Sequence, residues 1–369
     1  MKRFKVFYFF LKNYVRLGLF FYFRERRIQG LENIPKDKPV LLLSNHQNAL
    51  LDVLLLASRY PGQMHYLARS DVFKRKPVAA FLRSLNMHPA FRMRDGFEKL
   101  SGNYDTFKAV TEELLQGEHV LLFPEASHCL DRRIRPLNKG FTRLVAAVLD
   151  REPQHPLQLV MIGQNYTAPL QAGESSQLII GEPMDLQDWL KEQEFEAVPF
   201  AENRPFARKL TLAVEERLKD LTTHLGPLEK YSYHLNALQE QDYDFRMPIR
   251  WEEEKTPEVN AKGQSVSSLA RACFRILHFP FILLWKTLLK PKVPEIEFTS
   301  TFRFAYVVLG YPLLLGIIAF VAWLLGANPR GIFAGLGLFI VLTFVLVRAG
   351  ITTKPPTGDT ATAPVSPPH

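Results

Sequence analysis

Val40-Leu41-Leu42-Leu43-Ser44-Asn45-His46-Gln47-Asn48-Ala49-Leu50-Leu51-Asp52 is a short apolar run that breaks into polar residues and then resumes as a second apolar run. Four consecutive aliphatic residues between Lys38-Pro39 and Ser44-Asn45 match a strand buried on both faces, as strands of parallel sheets are. Similar short runs occur at 64–69, 119–123, 157–163 and 177–181, and helical patterns at 49–58, 104–116, 140–149 and 206–221, with Gly117 ending the second. This alternation predicts an α/β fold: a mostly parallel or mixed sheet covered by helices on both faces. In such sheets functional groups gather where strands end.

His46 leaves the first strand and Asp52 follows six positions later. On one continuous helix six residues would set the two side chains about 240° apart, so they can meet only if part of the intervening chain is not helical. Asn48 is a candidate N-cap, which leaves His46 in the loop and puts Asp52 in or near the first turn. An imidazole oriented by a carboxylate is a general base. A capped helix beside a solvated histidine is the alternative that this pair alone leaves open.

The chain has 369 residues, long enough for two or three domains and for a core without disulfide staples. Cys129 and Cys273 lie far apart with no metal-ligand spacing, and His88, His119 and His128 have none either, so no metal site and no disulfide framework is expected. Lys and Arg number 46 against 37 Asp and Glu, a formal charge of +9 that favours an anionic partner. No GxSxG elbow is present, which disfavours a serine hydrolase.

From Phe304 to Leu325 the chain runs 22 residues without Asp, Glu, Lys, Arg or His, long enough for a hydrocarbon layer of ~30 Å. A second uncharged run covers 331–347, and Asn328-Pro329 turns the chain between them. These two runs predict a transmembrane hairpin; a buried core hairpin is the other reading. Lys286, Lys290, Lys292 and Arg303 flank one end, Arg348 and Lys354 the other, while the turn holds only Arg330, so the positive-inside bias puts the soluble body in the cytoplasm. In residues 1–27, Lys5, Lys12 and Arg16 share one helical side and aromatic residues fill the rest, the pattern of an interfacial helix or of an ordinary packed one. Residues 273–290 mix apolar and basic character around Pro280 and suggest contact with the bilayer surface. The expected organisation is therefore an interfacial helix at 1–27, a soluble domain at 28–228, a linker at 229–300, a hairpin at 301–349 and a disordered tail at 350–369. Nucleic-acid binding would account for the charge but leaves the hairpin without a cause.

Two further blocks stand at strand ends: Phe123-Pro124-Glu125-Ala126-Ser127-His128, and Pro89-Ala90-Phe91-Arg92-Met93-Arg94. A fourth, Val160-Met161-Ile162-Gly163-Gln164-Asn165-Tyr166, is apolar and then polar. With Asn45-His46 to Asp52, these four blocks resemble, in order and spacing, the glycerolipid acyltransferases, which include glycerol-3-phosphate and 1-acylglycerol-3-phosphate acyltransferases. The resemblance covers roughly residues 28–228. Five residues separate His46 from Asp52 where the main family has four, a spacing similar to the fungal-type glycerol-3-phosphate and dihydroxyacetone-phosphate enzymes. Ala126 stands in place of the family's glycine, which puts a left-handed turn there in doubt, and Met161 stands in place of its proline.

The resemblance implies transfer of a fatty acyl group from acyl-CoA or acyl carrier protein to a hydroxyl of glycerol 3-phosphate or lysophosphatidate at a membrane, with no cofactor beyond the acyl donor. It implies His46 as base and Asp52 as its orienter. Arg92 and Arg94 suit a phosphate because guanidinium groups donate paired hydrogen bonds, and Lys139 adds a point charge near the helix start at Gly140. Glu125 and Ser127 are candidates for holding glycerol hydroxyls or the arginines, with capping of the following turn as the rival role for Glu125. Arg132, Arg133 and Arg135 read as a solvated basic loop or a contact with anionic lipid. A membrane-anchored lipid-binding scaffold on a degenerate fold of this type is the alternative function.

Overall fold

The structure, a computed structural model, describes residues 2–90, 101–195, 199–253, 257, 259 and 262–352. Its centre is a mixed sheet of order β1-β7-β6-β2-β5-β3-β4, in which β1 is Glu25–Gln29, β2 Val40–Ser44, β3 His65–Arg69, β4 Met87–Ala90, β5 His119–Leu122, β6 Gln158–Tyr166 and β7 Ser175–Ile180. Strands β6, β2, β5, β3 and β4 run parallel, β7 is antiparallel to β6, and β1 pairs parallel with β7. A two-residue strand, β8 at Met184–Asp185, also pairs antiparallel with β6.

The aliphatic run of β2 is buried throughout because both faces of the sheet are covered. Leu41 and Leu43 pack with α4 (Ser101–Leu115), α5 (Gly140–Arg151), α6 (Leu186–Glu192) and α7 (Arg204–Leu221). Val40 and Leu42 face the other way, into a cluster with Leu19 and Tyr22 of α1 (Lys2–Tyr22), Leu51 and Leu55 of α2 (Leu50–Ala57), and Phe304. Burial of side chains of this size contributes about 1.5–3 kcal/mol each, so the position of β2, and of the loop that leaves it, is set from two sides. Gly163 in β6 permits the closest approach: a Cβ there would lie 2.0 Å from the carbonyl oxygen of Leu221 at the end of α7.

Helix α1 ends at Tyr22 and Glu25–Gln29 is already a strand, so the helical part of the first segment is shorter than 1–27. Its last turns pack in the core, while Phe7, Phe9, Phe10 and Leu17 are exposed. Residues 229–300 hold more structure than a linker. Helix α8 (Tyr231–Glu240) and strands β9 (Thr223–Leu225) and β10 (Ile249–Trp251) surround a small core of Leu225, Leu238, Tyr243, Phe245 and Trp251. Helices α9 (Ser268–Leu277) and α10 (Phe279–Leu284) follow, bent by 81° at the break beside Pro280.

Two helices, Ile296–Leu324 and Pro329–Ala349, are long and apolar enough to cross a membrane, each with an 18-residue stretch of mean hydropathy 2.4, and they overlap the two uncharged runs. The first opens with a 3-10 turn at Ile296–Phe298, continues through α11 (Thr299–Ala305) and ends with α12 (Tyr311–Leu324); the second is α13 (Pro329–Ala349). At the end of α13, Arg348 donates to the carbonyls of Phe20 and Phe23, satisfying the C-terminus of α1 and tying the hairpin to the sheet domain. The expected disordered tail lies outside the described residues from 353 onward.

Candidate active site

The loop after β2 is hung from both neighbouring strands. Asn45 Nδ2 donates to the carbonyl of Gln164 at 3.0 Å and the Gln164 N–H returns to Asn45 Oδ1 at 2.7 Å, so the side chain extends the β2–β6 ladder by one rung. On the β5 side, the Cys129 N–H donates to the His46 carbonyl at 3.0 Å and Gln47 Nε2 to the Leu130 carbonyl at 3.0 Å. His46 therefore leaves the sheet on a fixed backbone. Helix α2 starts only at Leu50, so residues 47–49 are not helical and the 240° separation of a continuous helix does not arise.

His46 Nδ1 lies 2.7 Å from Asp52 Oδ2, and Asp52 is fully buried. The same oxygen accepts the Asn48 N–H at 2.8 Å, and Oδ1 accepts the Tyr166 hydroxyl. The role expected of Asn48 is thus reversed. It does not cap the helix; the carboxylate in the first turn reaches back to its orphan N–H, where a negative charge also suits the helix dipole. Ala49 occupies the cap position with φ +45° and ψ −125°, a strained conformation for a residue with a Cβ. A carboxylate that already accepts two other donors needs a proton on Nδ1, which leaves Nε2 of His46 as the basic nitrogen. The ring stacks on Phe123 (centroids 4.0 Å apart, planes at 17°) and meets His128 edge-on at 5.7 Å.

The block after β5 is organised by Arg135, which by sequence alone reads as part of a solvated basic loop or a contact with anionic lipid. Arg135 donates to Glu125 Oε2 through Nε at 2.7 Å, with Nη2 2.6 Å from the same oxygen, and to Ser127 Oγ through Nη1 at 2.8 Å. Arg132 is buried, donating to the carbonyls of Tyr166 and Thr167 over the ring of Phe245. Both are held by protein acceptors and not by solvent alone; Arg133 pairs with Asp131 at 3.4 Å. A run of Arg and Asp does not show which of its members turns inward. Ala126 adopts φ +58°, so the left-handed turn is made without glycine, at about 1–2 kcal/mol for the Cβ.

Glu125 is nearly inaccessible, and its Oε1 has no partner among the described residues. Burial pushes its carboxyl up to about 7 despite the ion pair with Arg135. A carboxyl raised in the folded state takes up its proton more readily there than in the unfolded chain. The native protein therefore loses stability as pH rises from about 4.5 to 7, by about 3 kcal/mol in all. Glu125→Gln removes this dependence. Its thermal midpoint relative to the parent is expected to be several degrees higher at pH 8 than at pH 5; an offset independent of pH would show that the buried carboxyl is not protonated on folding.

Lys139 is exposed at the start of α5, one residue past Asn138, whose N–H donates to the Pro124 carbonyl at 2.7 Å. Its charge thus stands next to the β5 exit. Arg92 and Arg94 lie outside the described residues. Behind the His46–Asp52 pair, Glu174 is fully buried and accepts from Asn48 Nδ2 at 3.1 Å, and burial holds its carboxyl well above the usual range. Nothing in the sequence around Glu174 signals this. Tyr166 was legible as a polar end to an apolar block, without a role. His119 is a packed histidine held by Tyr60 and the Lys38 carbonyl, whereas His88 and His65 form a hydrogen-bonded chain with Glu113 that sequence spacing does not suggest.

Residues 25–162 match the family model described as Acyltransferase. Among curated relatives, a 1-acyl-sn-glycerol-3-phosphate acyltransferase of Bacillus subtilis is 25% identical over 55% of this chain and 90% of its own length. A chloroplastic 1-acyl-sn-glycerol-3-phosphate acyltransferase of Brassica napus is 30% identical over 34% of each chain. Tafazzin of Drosophila melanogaster is 25% identical over 57% of this chain and 56% of its own. Among solved structures, the 1-acyl-sn-glycerophosphate acyltransferase PlsC of Thermotoga maritima is similar at 19% identity and a TM-score of 0.38, covering 59% of this chain and 82% of that one. With the four blocks in order and the Acyltransferase model matching 25–162, the sheet domain is similar to the glycerolipid acyltransferases.

Proposed function

We propose that the protein transfers a fatty acyl group from a thioester, acyl-CoA or acyl carrier protein, to a hydroxyl of a glycerol phosphate at a membrane, in phospholipid synthesis. One observation carries the reading: His46 Nδ1 is bound to a fully buried Asp52, and no described residue bonds Nε2. In the proposed step the acceptor O–H gives its proton to Nε2 as the oxygen attacks the thioester carbonyl. The C–O bond forms, the C–S bond breaks, and the imidazolium returns the proton to the departing thiolate. Asp52 keeps the tautomer and stabilises the imidazolium. The attacking group is the substrate's own hydroxyl, so no residue nucleophile and no cofactor takes part.

Arg92 and Arg94 are the proposed phosphate clamp, with Lys139 adding charge at the rim. Glu125, whose buried Oε1 has no partner among the described residues, is the proposed acceptor for a glycerol hydroxyl once the site opens to substrate, and Ser127 shares its arginine. The relatives named 1-acyl-sn-glycerol-3-phosphate acyltransferases make the 1-acyl acceptor the first choice over glycerol 3-phosphate. A lipid acceptor also suits a site tied to two apolar helices, because its chain need not be moved through water at about 0.8 kcal/mol per CH₂. The proposed orientation, with the domain on the cytoplasmic side, is supported by the basic groups around the hairpin ends. Arg26 lies there among Arg16, Arg59 and Arg348, and burial and those like charges push its guanidinium down to about 10.

The test is a thiol-release assay of the full chain in lipid, with acyl-CoA or acyl carrier protein and each of 1-acylglycerol 3-phosphate, glycerol 3-phosphate and dihydroxyacetone phosphate. The first acceptor is expected to raise thiol release at least tenfold over the donor alone. If no acceptor raises it, the proposed activity is wrong.

A further inference from the structure

The histidine chain under α4 lies at the other end of the sheet from the proposed base. His65 opens β3 and His88 is the second residue of β4, whereas His46 and Glu125 follow the last residues of β2 and β5. Successive side chains of a strand alternate between faces, so His65 shares a face with Leu67, and the register sets Leu67 beside His88. Leu67 packs on the cluster that holds Val110 and Leu114 of α4. Both imidazoles therefore face α4, which supplies Glu113.

His65 Nδ1 lies 3.2 Å from His88 Nε2, and His65 Nε2 lies 3.4 Å from Glu113 Oε2. One atom with a usable lone pair from each residue lies within 4.8 Å of those of the other two. Zinc bonds imidazole nitrogen and carboxylate oxygen at about 2.0–2.2 Å, and a tetrahedral arrangement then spaces neighbouring ligand atoms about 3.3 Å apart. A closure of at most about 1.5 Å brings this set to that spacing. Burial holds both imidazoles below their ordinary value, so at neutral pH each keeps a lone pair for an ion. Two imidazoles and one carboxylate suit zinc and its transition-metal neighbours, while Mg²⁺ and Ca²⁺ take oxygen sets. Glu113 keeps 28% of its side chain in solvent, which gives an ion a way in and water access to a fourth position.

The surrounding structure also has a use for such an ion. Strand β4 is the edge of the sheet, has four residues, and pairs only with β3 among the described strands. Its Pro89 offers no N–H to a ladder. Helix α4 holds it through the Thr106 hydroxyl, which donates to the Pro89 carbonyl at 2.7 Å.

We propose that His65, His88 and Glu113 form a binding site for zinc or a similar divalent transition-metal ion, which pins edge strand β4 to β3 and α4. The ligands come from three separate elements, so spacing along the sequence does not reveal them. The site stands apart from the proposed acyl transfer, and its test does not depend on that activity.

The experiment titrates Zn²⁺ into the full chain, purified in detergent and stripped with EDTA. The chain has ten histidines, so the quantity read is the difference between the parent and its variants. The parent is expected to bind one equivalent with a dissociation constant of about 1 µM or tighter, which His88→Ala loses and Glu113→Gln weakens about tenfold. Loading with Co²⁺ should give the intense visible bands of a four- or five-coordinate ion in the parent and not in His88→Ala. Zinc is also expected to slow amide hydrogen exchange about fivefold in the parent's peptide that holds Met87–Ala90. A parent that takes up no zinc, or one whose affinity and stoichiometry are shared by the folded variants, would overturn the site and leave a hydrogen-bonded chain of three side chains. Binding that leaves the exchange of β4 unchanged would overturn the pinning. If His88→Ala does not fold, Glu113→Gln, altered at the partly exposed ligand, decides the site.

Discussion

Replacing His46 with alanine is expected to lower acyl transfer by about 10³-fold or more, the contribution of a well-placed general base. The loss should fall on kcat. The imidazole takes the proton during attack, so its contribution is largest in the transition state. The fold should survive, because the loop is held by backbone and neighbouring side chains: the Cys129 N–H on the His46 carbonyl, the Asn45–Gln164 pair and Gln47 on Leu130. The His46 side chain contributes one hydrogen bond and a stack on Phe123. Thiol release measured beside a thermal midpoint separates the two effects. A variant that turns over within tenfold of the parent, with its midpoint unchanged, would remove His46 from the chemistry.

Much of this geometry was legible in the sequence because it follows from strong local signals. The Val40–Ser44 run is apolar on both sides because both sides are covered, and the polar break after it marks the loop that carries His46. Two uncharged runs of near-bilayer length became two helices of that length. What was not legible depends on pairings distant in sequence. Glu25–Gln29 is polar and becomes a strand only because β7 offers it an edge. Arg135 reads as one basic residue among several, and its inward turn is decided by the buried Glu125 carboxylate and the Ser127 hydroxyl. The positive φ of Ala126 runs against local preference and is imposed by the turn that brings Ser127 and Glu125 onto one guanidinium. Glu174 has no local signature, since burial is a property of the folded chain.

Asp52→Asn carries the second large expected effect, and comparison with Tyr166→Phe shows what kind of effect it is. Three donors converge on the Asp52 carboxylate: His46 Nδ1–H, the Asn48 N–H and the Tyr166 hydroxyl. An amide has one acceptor oxygen and an NH₂ group, so in the variant at least one donor faces another. The imidazole is the partner free to respond: it moves its proton to Nε2 and accepts on Nδ1, which disarms the nitrogen that should take the substrate's proton. A loss of about 10²–10⁴-fold in kcat is expected, with about 1–3 kcal/mol of stability lost to the mismatch in this buried site. Tyr166→Phe removes one donor and leaves the carboxylate ionisable and the tautomer correct, so its kcat should fall less than tenfold although its stability falls by a similar amount. A pair of thermal midpoints that drop alike while the two kcat values diverge would mark Asp52 as the orienter of the base. If instead Asp52→Asn kept its rate within tenfold of the parent, the carboxylate would be a helix-end and packing group only, and the assignment of His46 would lose its support.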